Sequence, residues 1–475
     1  MKKQNSKLKN TKLFLLLSQF SEKEHKKLIQ FLESPYFNTR KEVVDLYRFW
    51  LEQRHLKKGD TKKKDLHQQL FPQKPYKDEQ LRLVMSQLVG LLEQFIIIEE
   101  QQKSRIKQRT LLSRFYRKKK LSKQFEQIYK SSWQQLEKQT FRSSNYYLER
   151  YQLQLENYKY ASSAERTSPQ NLQDVSDSLD TAFIILKLKT ACLAISHQAV
   201  FQQTYQFGLL PPILKYIDEN QLIELPAIGV YYHTYFALKG VSTAHHFQEF
   251  KKILFQYTTL FPKEELVDLY LLGINCGIQM INKGNTNFIP EVLALYKQGL
   301  STNALLINGT LSRFTFQNIV SVGLRTKEYA WTRAFLQEYK NKVDKAYRKS
   351  AYRFNLGRIA YSEQKYDEAL QLLRDTDHKD LLINLFSKTL LLKIYYELSE
   401  FKLLDSFLEA FKIYLQRKKV IGYHKENYQK IIYYTQQLMK LNPYDKSAKK
   451  KLQERIEGEE QLLEKKWLLE RLEAH

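Results

Sequence analysis

The chain has 475 residues and is 43% hydrophobic, which is enough to bury a continuous core. It holds only 14 glycines and 10 prolines, and this scarcity of turn residues excludes a strand-rich fold and favours helices. The formal net charge of +26 favours anionic partners, which include nucleic acid, acidic proteins and anionic lipid surfaces. No stretch approaches the ~18 uncharged apolar residues of a membrane-spanning helix, so we expect an all-α, cytoplasmic protein without a membrane span.

The positive charge is concentrated at the two ends of the chain. Residues 1–150 contain 34 lysines and arginines against 16 acids, residues 151–300 contain 11 against 13, and residues 301–475 contain 32 against 22. The basic ends indicate either dedicated anion-binding sites or a lysine-rich background of solvated helix faces, and the sequence leaves both interpretations open.

The first predicted region, residues 1–101, is an N-terminal helical bundle. Ser21 and Glu24 have the spacing of a capping box at the start of a helix. That helix is predicted to end before Ser34-Pro35, because a residue that precedes proline avoids the α region. A long helix is predicted over residues 77–101, and its Ile96-Ile97-Ile98 run indicates burial on all sides near its end.

The segment from Phe14 to Asn38, which contains Phe31-Leu32-Glu33-Ser34-Pro35-Tyr36-Phe37, resembles the start of bacterial helical proteins of uncharacterised function. This resemblance is confined to about the first forty residues. It implies a helical structure and carries no activity with it.

A basic segment over residues 103–123 is the main candidate site in the N-terminal half. It contains ten cations and no acid, on one predicted helix and a turn near Lys118-Lys119-Lys120. Clustered cations bind phosphate groups and release counterions, so we predict an anion-binding surface; the alternative is the solvated face of a scaffold helix. The predicted anion-binding residues are Arg105, Lys107, Arg109, Arg114, Arg117, Lys118, Lys119 and Lys120.

The most specific pattern in the chain lies at residues 352–375. The stretch from Asn355 to Leu370, with Leu356-Gly357 and Ala369, resembles a tetratricopeptide repeat. The resemblance implies a helical hairpin in which Gly357 and Ala369 allow the two helices to approach closely and Tyr366 opens the second helix. Residues 389–411 match less well, with Phe401 at the position of the turn aromatic.

Turn aromatics at similar intervals indicate further hairpins upstream. Phe247, Phe288, Tyr329, Tyr366 and Phe401 are separated by 41, 41, 37 and 35 residues. These intervals predict one regular repeat, one degenerate neighbour and several longer hairpins, within an α-solenoid of helical hairpins. Generic αα-hairpins would give similar intervals, so that alternative stays open for the upstream aromatics.

The tetratricopeptide resemblance also implies a ligand groove lined by the first helix of each hairpin. An asparagine before the Leu-Gly pair of such repeats often bonds the main chain of a peptide, and cations beside it favour an acidic peptide or a C-terminal carboxylate. The alternative is a set of solvated polar residues. The predicted groove residues are Asn318, Arg325, Asn355, Arg358, Tyr361, Lys393 and Tyr396.

Four regions are predicted along the chain. They are the N-terminal region 1–101, basic-to-neutral helical hairpins at 102–240, tetratricopeptide-like repeats at 241–420, and capping helices at 421–475. An amphipathic helix over residues 445–473 is predicted to cover the last hydrophobic face of the repeats.

Sequence motifs for catalysis are missing. The chain has no P-loop, no Gly-rich dinucleotide fingerprint, no HExxH, no GxSxG and no Cys-x-x-Cys. Cys192 and Cys276 lie in apolar helical runs and are predicted to be buried thiols. We therefore predict a non-catalytic helical-repeat scaffold or adaptor that binds a protein or peptide partner, without a cofactor or metal. The alternative is a nucleic-acid-associated helical protein that uses the basic N-terminal half, and the sequence does not indicate an oligomeric state.

Overall fold

A computed structural model describes residues 11–55, 63–164, 170–201, 203–374, 381–417, 422–460 and 462–474. About 80% of the chain is helical, and the described residues contain no strand, which confirms the predicted all-α class. The chain divides into two compact units, one up to Phe183 and one from Ile184 onward. The predicted four-part division stays a prediction, and its 420/421 boundary lies outside the described residues.

The first unit consists of helices joined by short connections. They are α1 (Lys12–Gln19), α2 (Glu22–Glu33), α3 (Lys41–His55), α4 (Lys63–Leu70), α5 (Asp78–Gln102), α6 (Arg105–Lys118), α7 (Ser122–Glu137), α8 (Ser144–Ala164) and the start of α9 (Leu172–Phe201). The predicted capping box opens α2: Ser21 Oγ accepts from the Glu24 amide, and the Glu24 carboxylate accepts from the Ser21 amide at 2.7 Å. The predicted end of this helix is also confirmed, because Ser34 caps it.

Helix α5 is the central helix of the first core. Its Leu81, Leu88 and Leu92 are fully buried among side chains of α1 to α4. Among the described helices, α5 alone is long and apolar enough to cross a membrane, by length and composition. The predicted burial of Ile96-Ile97-Ile98 is wrong at its centre, because Ile97 is 55% exposed; an apolar run does not reveal which side of a helix its neighbours cover.

The second unit begins within α9 and continues with helices that pack mainly against their neighbours in the chain. They are α10 (Leu210–Glu219), α11 (Pro226–Lys239), α12 (Thr243–Gln256), α13 (Lys263–Asn282), α14 (Phe288–Ser301), α15 (Arg313–Arg325), α16 (Tyr329–Tyr339), α17 (Arg348–Ser362), α18 (Tyr366–Arg374), α19 (Leu381–Glu397), α20 (Phe401–Arg417), α21 (Gly422–Lys440), α22 (Lys446–Gly458) and α23 (Lys465–Ala474). The pairs α11–α12, α13–α14, α15–α16, α17–α18 and α19–α20 form five successive hairpins. First helices of neighbouring hairpins also touch: α11 contacts α13, α15 contacts α17, and α17 contacts α19.

All five hairpins use the same turn. Its central residue has a left-handed φ, and that residue is Gly240, Gly284, Lys327, Gln364 or Ser399 in chain order. In each turn its amide donates to the carbonyl three residues back, and the next amide donates to the carbonyl five residues back. This is the Schellman arrangement of a helix C-terminus. Four of the five predicted turn aromatics, all but Phe247, are the first residue of a second helix.

Helices α17 and α18 pack against each other through the small residues that the sequence predicts. Gly357 of α17 is buried against Leu373 of α18, and a Cβ atom built on Gly357 would lie 2.9 Å from Leu373 Cγ. Ala369 is fully buried in the same seam. The hairpin therefore depends on small side chains where its helices meet.

The end of the chain is two helices rather than the one predicted over 445–473. Helix α22 ends at Gly458, and Glu464 with φ of +55° turns the chain into α23. Helix α23 then packs Trp467 on Tyr396, with ring centroids 5.3 Å apart. Trp467 Nε1 also donates to a carboxylate oxygen of Glu397 at 2.7 Å, so α23 is anchored to the end of α19.

Candidate functional site

A cavity of about 340 Å³ lies in the second unit, between the first helices of successive hairpins. Helices α15, α17 and α19 form most of its wall, and α21 and the turn before α23 complete it. The lining residues are Gln317, Asn318, Ser321, Phe354, Arg358, Phe386, Thr389, Leu390, Lys393, Tyr428, Leu463 and Glu464. A volume of this size is at the lower end of ligand pockets and fits one or two side chains of a partner.

Arg358 is a positioned cation in this wall. One of its terminal nitrogens, Nη2, donates to Ser321 Oγ at 2.7 Å, and the other, Nη1, donates to Asn355 Oδ1 at 3.0 Å. Burial lowers the pKa of the Arg358 guanidinium to about 10, so it is still protonated at neutral pH. Ser321 and Asn355 thus fix the direction of a guanidinium that carries a full charge.

Lys393 is the second cation of the cavity. Its side chain is 11% exposed, and its Nζ donates to Glu464 Oε2 at 2.7 Å. The same Nζ lies 4.9 Å from the ring centroid of Tyr361 and 5.6 Å from that of Trp467, as cation–π contacts do. Among the lining residues that the structure describes, Glu464 is the one carboxylate, so two cations face a single acid there.

The rest of the wall combines apolar side chains with a hydrogen-bond donor, Gln317 Nε2, that has no described partner. Phe354 and Tyr428 are buried, whereas Phe386 is 44% exposed. The side-chain Nε2 of Gln317 is shielded from solvent and has no hydrogen-bond partner among the described residues. An acceptor on a bound group would relieve the cost of burying that donor.

The structure brings together three of the seven predicted groove residues, Asn318, Arg358 and Lys393. Asn355 is fully buried inside α17, where its amide nitrogen donates to the Ala351 carbonyl at 2.9 Å. It therefore supports Arg358 and presents no amide to a peptide. The remaining predicted residues, Arg325, Tyr361 and Tyr396, lie outside the lining.

None of the other nine lining residues was predicted from the sequence. Ser321 lies three residues after Asn318 on α15, so helical spacing alone could have found it. Gln317 directly precedes Asn318 on the same helix. Glu464 is separated from Lys393 by 71 residues. No local pattern indicates that contact, because it depends on how α23 returns to α19.

The basic segment in the first unit divides into two groups of cations. The Nε atoms of Arg114 and Arg117 each donate at 2.9 Å to a different oxygen of Glu156, a buried carboxylate on α8. Arg109 Nη1 donates to Ser131 Oγ on α7 at 2.9 Å. These three predicted anion-binding residues join α6 to its neighbours, and Glu156 is the acid that the segment itself lacks.

The other five predicted cations, Arg105, Lys107, Lys118, Lys119 and Lys120, are exposed. They form no hydrogen bond or ion pair through their side chains with other residues in the described part of the chain. Lys120 has a φ of +56° and forms the α6–α7 turn, as the sequence predicts. These five side chains remain available to an anionic partner.

No known protein-family model matches the chain, and neither curated proteins nor solved structures give a significant match. Within the described residues, no group of three or more His, Cys, Asp or Glu side chains is placed to hold a metal ion. Cys192 and Cys276 are both buried, as predicted.

Proposed function

We propose that this protein is a non-catalytic helical-repeat scaffold that binds an acidic segment of a protein partner in the cavity of its second unit. The observation that carries the proposal is the convergence of Arg358 and Lys393 on one cavity, where the described lining residues include a single carboxylate, Glu464. A carboxylate from a partner would balance the remaining positive charge, and charge-assisted hydrogen bonds to it are roughly twice as strong as neutral ones.

The arrangement of the hairpins supports this proposal. Five hairpins share one type of turn, and the first helices α15, α17 and α19 contact one another in sequence. An α-solenoid of tetratricopeptide type would show both features. In such a solenoid the first helices line the ligand face, and those helices line the cavity here. The half-exposed ring of Phe386 at the same wall offers apolar contact to a neighbouring side chain of the ligand.

A site-specific crosslinking experiment in the native cell tests the proposal. A photoreactive phenylalanine analogue replaces Phe386, which lines the cavity and is 44% exposed, or Phe401, which is 41% exposed and lies outside the lining. We expect a protein adduct from position 386 that position 401 does not give. Identical adducts from both positions, or no adduct from position 386, would overturn the proposal.

The role of the two cavity cations is tested by measuring how tightly the crosslinked partner binds to charge-removing variants. The double variant R358Q/K393Q should weaken binding by about tenfold or more, because each lost charged hydrogen bond is worth about 1.5–3 kcal/mol. Lys349→Gln is the matched control, since Lys349 is an exposed cation on α17 outside the cavity. If the double variant and the control bind with equal affinity, and both are folded by circular dichroism, the cavity is not the binding site of this partner.

A further inference from the structure

The outward face of α6 has an unusual composition. Leu111 is 57% exposed, Phe115 is 52% exposed and Leu112 is 39% exposed. The buried side of the same helix carries Ile106 and small polar residues, Thr110 and Ser113. Three of the large apolar side chains of this helix therefore face away from the protein while Ile106 faces inward, which is unlike a helix that only packs into a core.

Cations flank this apolar ridge on both sides. At about 100° per residue, Leu111, Leu112 and Phe115 all lie within about 50° of the direction opposite to the buried side. Lys107 and Lys118 lie along one edge of the ridge and Arg105 along the other. The α6–α7 turn adds Lys119 and Lys120 at the end of the ridge, followed by Leu121, which is 39% exposed.

An apolar ridge with cations along its edges suits some anionic partners better than others. Aliphatic leucines have no π-face on which a nucleic-acid base can stack, so a ridge that is two-thirds leucine adds little to nucleic-acid binding. An acidic helical partner would need a groove, whereas a single outward helix presents a ridge. A bilayer accepts apolar side chains between its headgroups and attracts cations to its anionic lipids.

We propose that the α6 ridge docks this protein onto an anionic phospholipid surface. Leu111, Leu112 and Phe115 enter the headgroup region of the bilayer. The exposed cations Arg105, Lys107, Lys118, Lys119 and Lys120 contact the phosphate and carboxylate groups of the lipids. The three arginines that hold α6 against α7 and α8 keep the helix in place while its outer face binds.

The test is co-sedimentation of the full chain with vesicles of phosphatidylcholine alone or of phosphatidylcholine mixed with phosphatidylserine. We expect binding to the mixed vesicles that weakens as salt is raised, and little binding to phosphatidylcholine alone. The triple variant L111S/L112S/F115S should reduce binding to the mixed vesicles by about tenfold or more. The matched control L83S/L172S/L179S removes three leucines of similar exposure from other helices and should bind as the unchanged chain does.

A second measurement locates the ridge at the membrane. In the variant F115W, tryptophan fluorescence should be quenched more strongly by brominated phosphatidylserine vesicles than in the unchanged chain. The proposal is overturned if the unchanged chain does not bind the mixed vesicles at low salt, or if the triple variant binds them equally well. It is also overturned if single-stranded DNA or an acidic helical peptide binds α6 while the mixed vesicles do not.

Discussion

The contact of Gly357 with Leu373 gives the sharpest test of the hairpin formed by α17 and α18. A Cβ atom on residue 357 would lie 2.9 Å from Leu373 Cγ and 3.0 Å from its Cδ2, closer than carbon atoms tolerate. Leu373 is 2% exposed, so it cannot simply swing into solvent. We expect Gly357→Ala to overpack this seam at a cost of about 1–3 kcal/mol, from which a helix-propensity gain of up to about 1 kcal/mol is subtracted.

The variant Gly458→Ala measures the gain in helix propensity without the cost of overpacking. Gly458 is the last residue of α22 in the same unit, and a Cβ atom there would meet no other atom within 4 Å. This variant should be neutral or slightly stabilising, so G357A should be less stable than G458A. Denaturant titration followed by the helical circular dichroism signal measures both free energies of unfolding. If G357A were as stable as G458A, the close approach of α17 and α18 would not exist.

The other predictions concern a turn, a buried acid and a histidine pair. Gln364→Gly should raise the free energy of unfolding by about 0.5–1 kcal/mol, because glycine tolerates the left-handed φ of +61°; an unchanged or lower midpoint in a denaturant titration would contradict it. Glu156→Gln should cost about 1–3 kcal/mol in the first unit by leaving two partly exposed arginines without their shared carboxylate, and a thermal melt equal to that of the unchanged chain would refute this. Burial and the neighbouring His246 lower the pKa of His233 to about 4. The unfolded chain therefore binds the extra proton first, and stability should fall as pH drops from about 6.5 to 4; His233→Asn should flatten that slope in melts recorded across this range.

Local sequence signals predicted the helix boundaries well. The Ser21 capping box, the stop at Ser34 and the turn at Lys120 depend on residues a few positions apart, and all three are present in the structure. The small residues Gly357 and Ala369 were also predictable, since close helix approach demands them. These features need no knowledge of distant parts of the chain.

The features that could not be predicted from the sequence depend on contacts between residues far apart in the chain. Arg114 and Arg117 look like free cations until α8 brings Glu156 between them. Asn355 occupies the position of a ligand-binding amide, yet it lies inside α17 and bonds to Arg358. Helix periodicity assigns a residue to a helix but does not say which of its faces meets a neighbour.

The repeated turn also has a practical consequence for measurement. Its hydrogen bonds come from the main chain alone, and the side chains of Lys327, Gln364 and Ser399 are exposed at its left-handed position. The two native thiols are buried, and burial raises the pKa of both, so a cysteine introduced at a turn would react selectively with a fluorophore. With labels attached to pairs of these turns, energy transfer between the labels would measure the distance from one hairpin to the next in solution.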